Sequence, residues 1–254
     1  EPCMKRGRNM SLSFKRTSTV YYSGFPTEAD NLTLLEPEPL LKSVAKEWAG
    51  KDAENLLHCP AMTQDMKNTY VIRAPLTITV SWDDEKGWHF LNQLSQTEFD
   101  KLFLLTPGSD NKLLLTLPQL FIDWGSYLFF ADEPTLAQIQ PANYHETKFS
   151  KFPFITGSFE IDKWCRPISF GIINQKKEDI VIQRNDPLYY IKFFSKKDVV
   201  LKRFSMTAEI LSIITGSLTI KKFLKGSSMR RLYEMFMQSG NKKRILREIN
   251  KQFE

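Results

Sequence analysis

From Tyr70 to Phe204 the apolar residues recur at every second position in short runs, the period of half-buried extended strands. In "LTITVSW" the set Leu76, Ile78, Val80 and Trp82 alternates with Thr77, Thr79 and Ser81, so one face meets a core and the other meets water. "DDEKG" supplies a turn, and Trp88 and Phe90 open a return strand. Then come "KLLLTL", "QLFIDW", "SYLFFA", "TLAQIQ", "ISFGIIN", "DIVIQ", "LYYIKFF" and "DVVLKRF", divided by "PGSDN", "ADEP", "NQKKE", "RNDP" and "SKKD". Separators this short and this rich in Gly, Pro, Asn and Asp predict reversals of direction. Too few helical stretches intervene to make βαβ crossovers. The expectation is therefore a mainly β unit over residues 70–204, an antiparallel β-sandwich or jelly-roll-like barrel with a filled apolar interior. "SQTEFDKLF" is the interruption, where Ser95 and Glu98 form a capping box for a short helix.

The period changes on both sides of this unit. Residues 1–37 keep a helical period nowhere for long and read as an N-terminal arm. Met10 in "MSLSFKR" reads as a natural start, with residues 1–9 as a tag, an extension or a misassigned beginning. Residues 38–69 form a short helix and linker: Pro39 suits a first helical position, Leu40, Leu41, Val44 and Trp48 share a face, and Gly50 supplies the stop. Residues 205–254 return to a helical period. Ile210, Ile213, Ile214 and Leu218 fall on one side, then Leu232, Met235 and Phe236 before Gly240, then Ile245, Ile249 and Phe253. The expected architecture has an arm, a docking helix, the β unit and basic C-terminal helices.

"RNDP" turns the chain into "LYYIKFF". Pro187 presets its own backbone angle and suits a strand's first residue, and Asp186 is a turn residue. Tyr189, Ile191 and Phe193 share one face and Lys192 lies on the other. Aromatic residues on both faces predict cover on each, with the C-terminal helices as the candidate cover.

Chemistry-bearing motifs are sparse. His58, His89 and His145 belong to no metal-ligand spacing, so no metal is expected. In "HCP", His58 and Cys59 are adjacent, which on an extended chain turns their side chains to opposite faces. Cys3, Cys59 and Cys165 form no CxxC pair and no disulfide framework, which suits a reducing compartment. No glycine-rich phosphate loop and no GxSxG elbow occurs, and no cofactor is expected.

The net charge of +6 is uneven. Residues 206–254 carry ten Lys/Arg against four Asp/Glu, whereas residues 1–205 carry 25 of each. Lys242, Lys243, Arg244, Arg247 and Lys251 are the candidate contacts to phosphate or an acidic partner. Nucleic acid, if bound there, would be held by its backbone, since no recognition motif accompanies the cations. No run approaches the roughly 18 apolar residues of a membrane span, and no membrane association is expected.

Residues 157–194, "GSFEIDKWCRPISFGIINQKKEDIVIQRNDPLYYIKFF", resemble the central strands of the trimeric dUTPase and dCTP deaminase barrels. The resemblance implies Asp162 at the catalytic aspartate, Trp164 under the deoxyribose, Asn174 at the asparagine ending the strand, and Tyr190 to Phe194 as the closing strand. Pro167 stands where that family has glycine, and neither its Arg-Ser-Ser turn nor its glycine-rich arm is found. "EPEPLL", "HCPAMTQDMKNTYVIRAPLTI", "FEIDKWCRPISFGI" and "NDPLYYIKF" also make the chain similar to uncharacterised proteins of marine tailed bacteriophages. That likeness implies a viral setting, in the host cytoplasm or on the virion.

These features together predict a non-catalytic binding or assembly protein with a protein partner or a second copy of itself. A nucleotide-binding or nucleotide-hydrolysing enzyme and a phosphate-backbone binder are the alternatives.

Overall fold

The structure is a computed structural model that describes residues 17–25, 35–75, 77–83, 87–90, 105–106, 119–146, 151–174, 176–223 and 228–254. The expected strand "KLLLTL", the Ser95 helix, Leu76 and the side chains of Trp82, Trp88 and Phe90 lie outside what is described.

Alternation sorts the strands into two stacked sheets. The larger contains β1 (Thr17–Phe25), β6 (Leu105–Thr106), β7 (Gln119–Ala131), β9 (Phe154–Ile155), β11 (Arg166–Ile173) and β14 (Asp198–Arg203). Its order is β14-β1-β7-β11-β9, with β6 beside β7; β1 and β14 run parallel and the other pairs antiparallel. The second contains β2 (Glu38–Pro39), β3 (Thr69–Arg73), β8 (Leu136–Gln140), β10 (Gly157–Glu160) and β13 (Pro187–Phe194) in the order β10-β8-β13-β3-β2, all antiparallel. A three-stranded sheet of β4 (Ile78–Asp83), β5 (Gly87–Phe90) and β12 (Ile180–Ile182) completes the β unit. Among the described residues no sheet closes on itself, which makes the unit a sandwich and not a barrel.

The inner faces meet in one core. Val20, Tyr22, Tyr127, Phe129, Ile168 and Phe170 come from the larger sheet, and Tyr70, Ile72, Ile139, Tyr189, Ile191 and Phe193 from the other. Ile78, Val80, Ile180 and Ile182 of the small sheet join them. Aromatic rings interlock across the gap: Phe129 meets Phe193 edge-on at 5.4 Å between centroids, a favoured geometry. The interior is packed with apolar side chains, as the period-two pattern predicts.

Each sheet is also covered from outside, and this gives four layers. Helices α1 (Leu40–Trp48) and α2 (Pro60–Met66), joined by a 3₁₀ turn (Asp52–His58), lie on the outer face of the β3–β13 sheet. There Leu40, Val44 and Met66 bury Val71 and Tyr190. Helices α3 (Ala208–Phe223), α4 (Met229–Gln238) and α5 (Asn241–Asn250) cover the larger sheet. Ile210, Ile214, Leu232, Phe236, Ile245 and Ile249 pack there with Leu128 and Phe130. The cover over β13 is thus the N-terminal helices, which corrects the expectation that the C-terminal ones would supply it. Tyr190 points to α1, whereas the C-terminal helices follow β14 directly and fall on the sheet to which it belongs.

Other expectations change in detail. The arm placed over 1–37 does not extend to Thr17–Phe25, which forms an internal strand between β14 and β7. Val20 and Tyr22 are buried inward while Tyr21 faces the C-terminal helices, so both faces are apolar and alternation is lost. "QLFIDW" and "SYLFFA" form one strand, β7, in which six residues (Ile122 to Tyr127) oppose three of β11 (Ile168 to Phe170). Such a bulge carries the chain past Gly125 without reversing it. Leu41, Met235 and Phe253, expected on packed faces, are exposed. Pro39 precedes α1 as its cap and pairs with Tyr70 in β2. Gly50 and Gly240 end helical segments at φ +72° and +73°, where a Cβ would be strained.

Candidate functional site

A cleft with a strongly polar lining opens where α1 meets the ends of β3 and β13. It encloses about 670 Å³. Two sequence features build it. The proline-spaced segment Leu35–Pro39 is extended and cannot enter α1, so its glutamates stand along one wall. The "RNDP" reversal, with Asn185 at φ 75°, forms the opposite lip. Asp186 serves that turn, its Oδ2 accepting from Gln183 N at 2.8 Å and its backbone oxygen from Ala74 N at 2.9 Å.

Both signs of charge line the cleft: Lys42, Lys46 and Arg73 against Glu36, Glu38 and Glu47. Burial opposes ionisation of Glu38. The hydrogen bond from Lys46 at 2.6 Å and the fields of Lys46, Arg73 and Lys42 outweigh it and hold its carboxyl below the ordinary value. Glu36 pairs with Arg203 at 2.8 Å. Arg73 donates through Nη1 to Asn185 O at 2.9 Å and through Nη2 to Ser43 Oγ at 2.8 Å, fixing its guanidinium across the floor.

Behind Ser43 runs a buried polar chain. Ser43 Oγ lies 2.9 Å from His145 Nε2, and His145 Nδ1 lies 2.6 Å from the hydroxyl of Tyr190. That hydroxyl also accepts from Tyr144 N at 3.0 Å. Glu47 Oε2 stands 3.6 Å from Nε2. A serine beside a histidine held by a third group invites a nucleophilic reading. Proton accounting decides against it. If Nδ1 carried the proton, Tyr190 would accept twice and its own O–H, in a residue 1% exposed, would lack an acceptor. If Nε2 carries it, Tyr190 donates to Nδ1, and the hydrogen left over is that of Ser43, which is 3% exposed but lines the cleft. The second arrangement is the less costly. His145 is then a donor to Ser43, whose oxygen already accepts from Arg73, so neither a base nor a free attacking lone pair is present. Burial pushes the His145 pKa down; Glu47 pulls it up, Arg73 pushes it down further and Glu38 pulls it up. The chain of bonds fastens α1 and the turn after β8 to β13.

The residues singled out by the dUTPase resemblance do not converge. Asp162, 5% exposed, accepts from Thr135 N at 3.1 Å and ties the turn before β11 to the β7–β8 reversal. Trp164 packs among the C-terminal helices, edge-on to Tyr233 at 5.6 Å. Asn174 lies beyond the other end of β11, roughly 25 Å along an eight-residue strand. There both ends of its amide are engaged with the backbone of Glu178, at 2.6 and 3.1 Å. Pro167 is accommodated because β9 reaches only Gly171 and Ile172, leaving no ladder bond for it to break.

The basic C-terminal cluster is largely paired within the molecule. Lys242 donates to Asp132 O at 2.6 Å, Arg244 and Arg247 reach Glu209 at 3.1 and 3.6 Å, and Lys251 meets Glu248 at 2.6 Å. Lys243 alone of the five has no partner among the described residues. Cys59 is exposed at the entrance to α2, and Cys165 is buried, which raises its thiol pKa well above the ordinary value. Among the described residues no three His, Cys, Asp or Glu side chains gather where they could hold a metal ion, and no helix is long and apolar enough to cross a membrane.

Sequence reasoning missed Ser43, Arg73 and His145 as a group because they lie on separate elements; the one signal was Tyr190, a polar side chain on a face that had to be covered. No family model and no curated protein matches the chain, so function has to be argued from this geometry.

Proposed function

We propose that the protein is a non-catalytic binding or assembly component, of the viral kind that the bacteriophage likeness implies, acting in the host cytoplasm or on the virion. The observation that carries this reading is the fate of its polar residues. Asp162, Ser43 and His145, the side chains best suited to chemistry, each hold one element to another, and Asn174 closes the turn after β11. What remains for a ligand is surface: a mixed-charge cleft, and exposed apolar side chains such as Ile220, Met235 and Met237 on the C-terminal helices. The nucleotide-hydrolase alternative draws no support from residues separated by the length of β11. The phosphate-backbone alternative is weakened by the internal pairing of four of the five cations.

Sedimentation velocity over a hundredfold concentration range, with co-sedimentation against assembled particles from the native source, tests the proposal. Self-association, or a fixed stoichiometry on particles, is the expected result. A chain that stays monomeric throughout and is absent from particles overturns it.

A further inference from the structure

The helical cover over the β3–β13 sheet is thinly anchored. Between Leu40 and Met66 only Leu40, Ser43, Val44 and Met66 are buried, and the 3₁₀ turn joining α1 to α2 buries nothing. Trp48, Leu57 and Met62 add partly buried contact. Ahead of α1, β2 pairs only Glu38 and Pro39 with Val71 and Tyr70. Three buried apolar side chains give a modest hold for a segment of this length, and a weakly packed segment can open while the rest of the fold persists. Polar ties therefore decide whether this cover stays down.

Those ties fall into two groups. α1 is held through Ser43, which meets His145 and Arg73, and through Glu47 Oε1, which accepts from Glu146 N at 3.3 Å. α2 is held through Asp65, which accepts from Lys192 Nζ at 2.6 Å and from the Tyr144 hydroxyl at 3.0 Å. The Lys192 hydrogen bond keeps the Asp65 carboxyl below its ordinary value; burial opposes this, and the Tyr144 bond and the Lys192 charge reinforce it. The α2 tie thus keeps its charge in the range where an imidazole titrates.

The α1 ties leave no place for a second proton on His145. With Nε2 donating to Ser43, a protonated Nδ1 would have to donate to Tyr190, whose oxygen already accepts from Tyr144 N. The Tyr190 O–H would then lack an acceptor among the described residues, a costly state for a buried donor. Ionising the phenol gives no relief, since burial raises its pKa. Charges face the ring from three elements: Glu47 of α1 at 3.6 Å, Arg73 of β3, which shares Ser43 Oγ with it, and Glu38 of β2. Burial, with Arg73, outweighs the two carboxylates and favours the neutral ring. Lifting α1 would admit water to the ring and to the Tyr190 hydroxyl, so the open form binds the proton more tightly.

We propose that protonation of His145 unlatches β2 and α1 from the β3–β13 sheet, with the 3₁₀ turn as the hinge and α2 still fastened at Asp65. Glu38, Lys42, Lys46 and Glu47 ride on the released segment, so release also takes apart the cleft beside Arg73. This latch does not depend on what the cleft binds.

The test is amide hydrogen exchange of the full chain at pH 7.5 and 5.5, each rate divided by its unfolded-chain value at the same pH. The closed form disfavours the proton, so its advantage is complete above about pH 6.5 and shrinks as pH falls. Amides of Leu40–Trp48 should be less protected than those of β7 and β11 at both pH values, the mark of separate opening. Their protection should fall several-fold further at pH 5.5, the limit being about tenfold for an imidazole that titrates normally only when open. His145→Gln, which cannot titrate, should give α1 the same protection at both pH values. Where that variant misfolds, the His145 ring resonances of the parent are followed by NMR against pH, and the loss of α1 protection should track them. Four results would overturn the proposal: α1 as protected as β7 and β11, α1 protection equal at the two pH values, a loss that persists in His145→Gln, or a loss that does not follow the His145 titration.

Discussion

The proton on His145 shows how far a single residue's environment decides what it can do. In the sequence His145 is an isolated imidazole beside Glu146, and nothing in its spacing announces a partner. Its four neighbours come from α1, β3 and β13: Ser43, Glu47, Arg73 and Tyr190. Asp186 and Asn174, by contrast, were legible as turn and strand-end residues, because their partners lie within four positions. The buried neutral histidine carries a pH signature. Its folded pKa lies below the ordinary 6.5, so below that value the unfolded chain binds a proton that the folded chain resists. Its stabilising contribution is complete above about pH 6.5 and is lost as pH falls toward the depressed folded value. Urea midpoints measured from pH 8 downward should be flat to about 6.5 and then decline, and His145→Gln should remove the first part of that decline. An unchanged profile in the variant would mean that His145 is not held neutral. Tyr190→Phe should cost about 1–3 kcal/mol, because it strips the acceptor from Tyr144 N and the donor from Nδ1.

At the scale of elements, period-two patterns located β4, β8 and β11 to β14, and period-3.6 patterns located α1 and α3 to α5. Failures cluster where a strand is apolar on both faces or bulged, as in β1 and β7, since alternation is the signal and burial on both faces erases it. The free edge of β14 carries a device that no pattern reveals. Asn68, at φ 56°, accepts from Val199 N at 2.9 Å and donates to Lys197 O at 2.9 Å, and the Tyr70 hydroxyl donates to Val199 O at 2.8 Å. Two side chains of the facing sheet thereby occupy ladder positions that a foreign strand would use. Asn68→Ala should lower stability by about 2–3 kcal/mol in denaturant titration, from unmet backbone groups and a strained positive φ, and should raise light scattering at high concentration. A melt and scattering trace matching the parent would show that the edge is guarded by something else.

For the whole molecule, an antiparallel β unit, sandwich or barrel, followed from the sequence; the choice of the sandwich and the four-layer order did not. Which helices cover which sheet depends on how β1 and β14 join in parallel and on where β13 sits, and both are long-range pairings. The order has a functional consequence. With both sheets closed over on both faces, the interior is apolar and filled, and ligands are left surface clefts such as the one beside Arg73. The central claim is that the polar side chains hold this body together and carry out no reaction. The most direct test is ³¹P NMR of the protein with a panel of nucleoside triphosphates and Mg²⁺, run beside Asp162→Ala and Ser43→Ala. The account predicts unchanged spectra in all three samples, and turnover by the parent that disappears in either variant would contradict it.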